Sequence, residues 1–564
     1  MFRIKGVVMI VVGCLLSSGQ ASVKQEPANL PRSRAEISGF TETSRYQDVI
    51  EFLKEMSRQS DLVRLTSFGK SFEGRDLPLV IVSEPPVTSP EQARASGKMV
   101  VFIMANIHAG EVDGKEATLH LLRDLTVGRL RPLLARLVVL LAPIYNADGN
   151  DRIGPNNRRH QNGPSGGVGT RENAQGLDLN RDFMKLETPE ANALVQNIFN
   201  RWDPHLTIDC HTTNGSYHGY ALTYAPPLNP NGHREPIEYV RERMLPEITK
   251  VLDSRFGYKT YFYGNFIDPN DPSKGWQTFD HRPRFGNNYL GLRNRMTILA
   301  ESYAYADFRT RVDVTEKFLQ VILEYAATHS QEMMEIIARA DRETVNRGKS
   351  PTASDQLGVR FKMRPFDKPV PILGYEIVQE TDPATGQRRP RRTDRLVTYV
   401  TQNFGLFEAT RTITIPRGYL LLPNLPDVVK KLRAHGVLVE EVKKPLRAEV
   451  EVYAVESVTH AAQPFQNHRE TTLAGKFQTR AVDIPAGSYY ISLAQPKANL
   501  AFYLLEPESD DGLVDWNFFD DYLMAQQQRE QPVVFPVYRV HRPLRLVTER
   551  VESFDAIQRE KEKK

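Results

Sequence analysis

His108, Glu111 and His211 offer two imidazoles and a carboxylate, each beside a short run of apolar residues. Those are donors that zinc accepts, and a catalytic zinc site keeps three protein ligands with a fourth position open for water or substrate. His108 and Glu111 stand three residues apart, so where a strand passes into a helix starting near Glu111 both can point at one ion. Such a pair is common on protein surfaces when it stands alone. Here it is followed in order by Asp178-Leu-Asn180-Arg181, by Asp209-Cys-His211 and by Glu301 at the end of Met296-Thr-Ile-Leu-Ala, and that series points to a metal-dependent peptidase.

The elements that must position these groups are short and rich in Val, Ile and Leu. Residues 99–105, 137–142, 206–210 and 296–300 read as buried strands of a largely parallel sheet. Ligands bind beyond the carboxyl ends of such strands, so His108, Asn146, His211 and Glu301 are expected to converge.

Several motifs then occur in order: Gly69-Lys-Ser-Phe-Glu-Gly-Arg-Asp76, Asn106-Ile-His-Ala-Gly-Glu111, Tyr145-Asn-Ala-Asp-Gly149 and Arg171-Glu-Asn-Ala-Gln-Gly-Leu-Asp-Leu-Asn-Arg181. With them the chain resembles the M14 metallocarboxypeptidase family, carboxypeptidase A-like, over roughly residues 40 to 340. The resemblance implies an α/β fold with a mixed, largely parallel eight-stranded sheet flanked by helices. It also implies one zinc ion held by His108, Glu111 and His211. Glu301 would be the general base, taking a proton from the attacking water and passing it to the leaving amine. Arg171 would polarise the scissile carbonyl and hold the oxyanion. Asn180 and Arg181 would grip a substrate carboxylate, which a planar guanidinium can do with two parallel hydrogen bonds. Asp178 would stand behind a ligand histidine and fix its tautomer. The family's mobile tyrosine lies roughly twenty residues before the catalytic Glu; that spacing falls here near Phe279. Tyr289, the nearest tyrosine, is therefore the substrate-binding candidate, with a packed aromatic as the other reading.

Other polar residues near the site read differently. His205, His218 and His281 are expected to be hydrogen-bonded or surface histidines, and Cys210, on a buried strand, a small core residue.

The N-terminus carries Arg3 and Lys5, an apolar run over residues 6–16 and the small-residue exit Ser17-Ser-Gly-Gln-Ala21. That is the pattern of a secretory signal cleaved near Ala21, too short to anchor in a bilayer, and it places the mature chain in the periplasm or outside the cell. A lipoprotein attachment at Cys14 is the less favoured reading. Once the leader is removed Cys210 is left without a partner for an intramolecular disulfide.

At 564 residues the chain exceeds one domain, and its 40% hydrophobic content suffices for sizeable cores. The formal charge of +4, lowered by two when Arg3 and Lys5 leave, argues against nucleic acid as a partner. The basic stretch at residues 387–392 reads as a solvated turn. A helix is expected from Thr188-Pro189, another over residues 319–340, and a third over 427–435 ending at Gly436. The domain reading is a signal at 1–21, a peptidase domain at 22–345, a linker at 346–351, and a β-rich accessory region at 352–564, where 411–415, 448–453 and 488–493 alternate like half-buried strands. Trp516-Asn-Phe-Phe-Asp520 is expected on a packed edge, with a sugar or substrate platform as the other reading; 352–564 reads as one or two modules and names no partner, and residues 559–564 are expected to be a charged, frayed tail.

The function expected is hydrolysis of the C-terminal bond of a peptide with a free carboxylate, by metal-activated water. The alternatives are a zinc amidohydrolase resembling the succinylglutamate desuccinylase and aspartoacylase group, and a metal-containing wall- or peptide-binding protein without catalysis.

Overall fold

The computed structural model describes residues 30–381, 387–527 and 533–551. The expected leader at 1–21, with Cys14, and the charged tail at 559–564 lie outside those residues.

The apolar runs form the central strands of a mixed sheet. Its members are β1 (Val63–Lys70), β2 (Asp76–Val82), β3 (Met99–Ala105), β4 (Leu137–Ala142), β5 (Leu206–Thr212), β6 (Leu222–Ala225) and β7 (Thr260–Phe262). Two short strands outside it, β8 (Asn265–Phe266) and β9 (Trp276–Gln277), precede the last member, β10 (Met296–Ser302). The order is β1-β2-β4-β3-β5-β10-β6-β7, with β4, β3, β5 and β10 mutually parallel and antiparallel pairings on either side. Every residue of β3, β4 and β5 is buried, which is why these runs show no alternation. Helix Asp113–Thr126 lies directly on the sheet because Gly114 has no side chain; a Cβ there would come within 2.4 Å of Cys210 Cβ. Cys210 is buried against it, as expected of a small core residue.

β5 and β10 run past residues 210 and 300, so that His211 and Glu301 are the penultimate residues of their strands and register partners of each other. Neighbours in register on parallel strands point to the same face. The next pair in register, Thr212 and Ser302, both donate hydroxyls to Asp113 Oδ2, at 2.6 and 2.7 Å. Asp113 Oδ1 takes the Arg311 Nε–H at 3.0 Å, with both side chains fully buried. The remaining Arg311 donors go to the carbonyls of Asn162, Gly163, Ala304 and Ala306. This network knots together the two strand ends that carry His211 and Glu301. Arg311→Met would leave the Asp113 charge buried without its partner, and we expect a loss of about 3–5 kcal/mol in chemical denaturation. A loss below about 1 kcal/mol would contradict the role given to the pair.

Arg311 lies near the start of a 42-residue helix, Phe308–Lys349, capped by Asp307, whose carboxylate accepts from Thr310 N. The helix extends well beyond the expected 319–340 and takes in most of the expected linker at 346–351. Gly348 is there for contact: a Cβ would lie 1.8 Å from the Leu493 carbonyl oxygen. Only Ser350-Pro351 ends the helix, as a residue before proline leaves the helical region.

Beyond it the chain is β-rich. Gln356–Arg364 pairs with Leu406–Thr414, Val370–Thr381 pairs with Arg388–Thr401, and a seven-stranded sheet follows. The basic stretch expected as a turn is therefore largely strand, with Pro390 opposite Gln379. Asn403–Phe404 pairs with β9, so hydrogen bonding crosses from this region into the N-terminal half, and the described residues from Pro31 onward form one unit. Two of the other expected helices stand at Pro189–Ala193, capped by Thr188, and at Pro426–Ala434, followed by Gly436 at φ 77°. Among the described residues no helix is long and apolar enough to cross a membrane.

Candidate metal centre and substrate cleft

After β3 the backbone turns through Asn106, a non-glycine residue at φ 66° that the structure steadies by a bond from its side-chain amide to the Ala109 carbonyl at 3.2 Å. Two residues on, His108 is brought against Glu111 by a tight turn, Glu111 N–H to His108 O at 2.9 Å. The Glu111 carboxylate lies between two imidazoles: Oε1 is 3.1 Å from His108 Nδ1 and Oε2 is 2.9 Å from His211 Nδ1. One donor atom from each of the three residues falls within 4.8 Å of the others, and all three side chains are buried. The far nitrogen of each ring faces a carboxylate, His108 Nε2 at 3.0 Å from Asp178 Oδ1 and His211 Nε2 at 2.9 Å from Asp209 Oδ2. The Asp178 carboxylate behind His108 holds a proton on Nε2, the Asp209 charge beside His211 Nε2 favours a proton there too, and both Nδ1 atoms face the common point, an arrangement that fits a divalent cation such as zinc.

The charges around this point are arranged with little waste. Arg158 donates to Glu111 Oε1 at 2.7 Å and to the Thr212 and Thr213 carbonyls at 2.9 Å each. Burial alone would raise the Glu111 carboxyl, but His108 and Arg158 outweigh it and hold the group well below the usual range. His211 is pushed the other way: burial disfavours its charge, yet Asp209 and Glu111 raise it well above the usual imidazole value. Metal loading must therefore displace protons. Glu301 stands beside them, largely buried. Burial pushes its carboxyl up to about 8, with Glu111 adding to the rise and His211, Arg158 and Arg171 opposing it.

Asp178 links the His–Glu–His group to Arg171 and to the turn bearing Asn180 and Arg181. Its Oδ2 accepts from Arg171 Nε at 3.1 Å and NH2 at 2.8 Å, while Arg171 NH1 lies 3.3 Å from His108 Nδ1 and 3.6 Å from Glu111 Oε1. Burial opposes the ionised form of Asp178, but His108, Arg181 and Arg171 hold it well below the carboxylate range. Asn146 secures this loop from behind, donating to the Arg171 carbonyl at 3.2 Å. The Gly69–Asp76 motif in turn clasps Asp148, which accepts from Ser71 Oγ at 2.7 Å and Arg75 NH1 at 2.6 Å. Asn180 and Arg181 form a short helical turn capped by Asp178. Asn180 Oδ1 accepts from Gly286 N at 3.0 Å, and the Arg181 guanidinium lies 4.0 Å from the Phe285 ring centre. Arg181 NH1 donates to the Asn180 carbonyl at 2.8 Å, and the nearest carboxylate oxygen to Arg181 among the described residues is Asp178 Oδ2 at 3.8 Å, so the guanidinium charge is not neutralised by a close carboxylate.

Residues 49–220 match the Peptidase_M14 family, described as zinc carboxypeptidase. Over that segment the chain is similar to the M14 metallocarboxypeptidases. That match and the carboxypeptidase relatives support a peptide-bond hydrolase. It is 24% identical over 513 residues to Carboxypeptidase 2 of Trichophyton rubrum, covering 87% of this chain and 88% of that one. Human Carboxypeptidase Z is 31% identical over 206 residues, covering 35% of this chain and 29% of its own. Among solved structures, carboxypeptidase A of Helicoverpa armigera aligns over 52% of this chain and 75% of its own, at 17% identity and a TM-score of 0.39.

Glu301 lies outside the segment that matches the M14 family, and it reaches the site only through the β5–β10 register. Tyr289, expected to bind substrate, does not serve that role in this structure. It is fully buried in helix Gly286–Gly291, packed on Phe183, with its hydroxyl 3.0 Å from His435 Nδ1 and 3.2 Å from Arg293 NH1. Phe279, where the M14 spacing leads, has no hydroxyl; its ring is 5.6 Å from Tyr263 and 5.3 Å from Phe285, completing an aromatic border beside Arg181. Burial raises the Tyr263 hydroxyl, and the charges of Glu301 and Glu111 raise it further, so Tyr263 stands within electrical reach of the site. Arg158 and Tyr263 are the residues that sequence reasoning missed. His205, His218 and His281 are engaged elsewhere: His205 Nδ1 accepts from Val100 N, His218 Nδ1 from Tyr220 N, and His281 Nε2 faces Asp510.

Proposed function

We propose that this chain is an exported, zinc-dependent carboxypeptidase that releases residues from peptides with a free C-terminal carboxylate. The observation that carries the reading is Arg181. It is a guanidinium with no carboxylate oxygen closer than 3.8 Å, one carboxylate removed from a His–Glu–His donor set. An internal peptide bond offers nothing to neutralise such a charge, whereas a chain end does.

His108, Glu111 and His211 would hold one zinc ion, which when bound supplies Lewis acidity that activates water and polarises a carbonyl. Glu301 takes a proton from the attacking water and returns it to the departing amine nitrogen. Arg171, oriented by two bonds to Asp178, points NH1 at the carbonyl oxygen as it gains charge. Asn180 and Arg181 hold the terminal carboxylate, and Phe279 and Phe285 exclude water from that contact. The carboxypeptidase names of the relatives and the signal-like N-terminus support the same reading, the latter for export.

Chelation tests it. Metal removal is expected to abolish hydrolysis of a blocked dipeptide with a free carboxylate, and one equivalent of zinc to restore it. Turnover that survives chelation would contradict the metal's role, and a clear preference for N-acylated amino acids would favour an amidohydrolase instead.

A further inference from the structure

Strands Leu446–His460 and Thr471–Ile484 form the longest hairpin of the β-rich region, and the segment joining them reaches back to the catalytic face. Its tip is a second, tight hairpin. Phe465 and His468 exchange backbone hydrogen bonds at 2.7 and 2.9 Å around a two-residue turn, Gln466 at φ 50° and Asn467 at φ 67°. Asparagine tolerates that conformation and glycine prefers it; glutamine does neither, so Gln466 is held there against its backbone preference.

What the side chain does explains its presence. Gln466 Oε1 accepts the backbone N–H of Asp178 at 2.9 Å, a contact spanning 288 residues of sequence. Asp178 is the residue whose carboxylate orients both His108 and Arg171 and whose backbone starts the turn bearing Asn180 and Arg181. The tip itself is anchored on both sides. His468 meets the Glu187 carboxylate at 2.9 Å and Asn517 Oδ1 at 2.9 Å. Phe465 lies 5.2 Å from the Arg284 guanidinium, which also packs on Trp516 and pairs with Glu470, Asp511 and Asp515.

We infer that Gln466 is a positioning residue: the β-rich region is a working part of the peptidase, clamping Asp178 so that His108 and Arg171 keep their active orientation. This rests on the reading of the site given under Proposed function. Loss of the clamp loosens one peptide unit that serves both the metal face and the oxyanion donor.

The test is Gln466→Gly in the full-length protein, with Gln466→Glu as the variant that keeps an acceptor oxygen. Glycine suits φ 50°, so the thermal midpoint is expected to hold or rise, while kcat falls about 3- to 10-fold with KM little changed. Zinc affinity, measured by competition with a chromophoric chelator, is expected to weaken by a similar factor, and Gln466→Glu to recover most of both losses. Wild-type kcat and zinc affinity in Gln466→Gly would overturn the inference, as would a fall in activity that only tracks a fall in melting temperature or that Gln466→Glu does not recover. The zinc measurement decides the matter even if the wild-type protein cleaves no peptide, an outcome that would count against the proposed function alone.

Discussion

Glu301→Gln is expected to lower kcat/KM by about 10²–10⁴-fold while leaving bound zinc at one equivalent. The two halves of the result follow from one geometry. Glu301 is the register partner of His211 but not a member of the His108, Glu111 and His211 donor group, so its amide would cost the metal little and the proton transfer everything. The substitution is close to isosteric, and the strand end is held by the Thr212 and Ser302 bonds to Asp113, so the fold should not register it. The pH profile carries the same information. Without a cation, burial holds the carboxyl up to about 8, and a divalent charge beside it must lower that value. A base works only when deprotonated, so wild-type kcat/KM should fall as pH drops through the pKa of the loaded site. The residual activity of Glu301→Gln should lack that limb. Steady-state kinetics across pH with metal analysis on the same samples checks both; full activity in the variant would remove Glu301 from the chemistry.

Arg171→Met should cost about 10²–10³-fold, chiefly in kcat. Two of its nitrogens are occupied by Asp178, and only NH1 turns toward the metal face, so the side chain behaves as a donor locked in direction. A lysine cannot make the paired contact to Asp178 and aim a third donor at once; Arg171→Lys should therefore recover little, although the charge is restored. A fall confined to KM would instead mean that Arg171 binds the ground state and does not favour the transition state.

The parts of this molecule that were legible in the sequence are those where burial leaves a run or chemistry leaves a residue type. β3 and β4 are apolar throughout because both faces are covered, β5 and β10 begin largely apolar and turn polar toward the ends that carry His211 and Glu301, and His108, Glu111 and His211 can be read because few other residue types suit a zinc ion. What escaped was carried by contacts without a local pattern. Gly348 and Pro351 look like a linker, yet the glycine lets the helix press on Leu493. Tyr289 sits at a suggestive distance from Glu301, but its helix faces the core. Arg158 stands in an Arg-Arg-His stretch that any solvated loop could contain, and its value lies in a carboxylate 47 residues earlier. Gln466 is less visible still, since a side chain bonded to a distant backbone N–H imposes no requirement on the identity of its partner.

The most direct measurement is product analysis by mass spectrometry on matched peptides with free and amidated C-termini, using purified protein loaded with zinc. Loss of single C-terminal residues is expected from the free-carboxylate set only, since in the proposed reading Arg181 and Asn180 hold a terminal carboxylate. Internal cleavage, or equal loss from the amidated peptides, would contradict it.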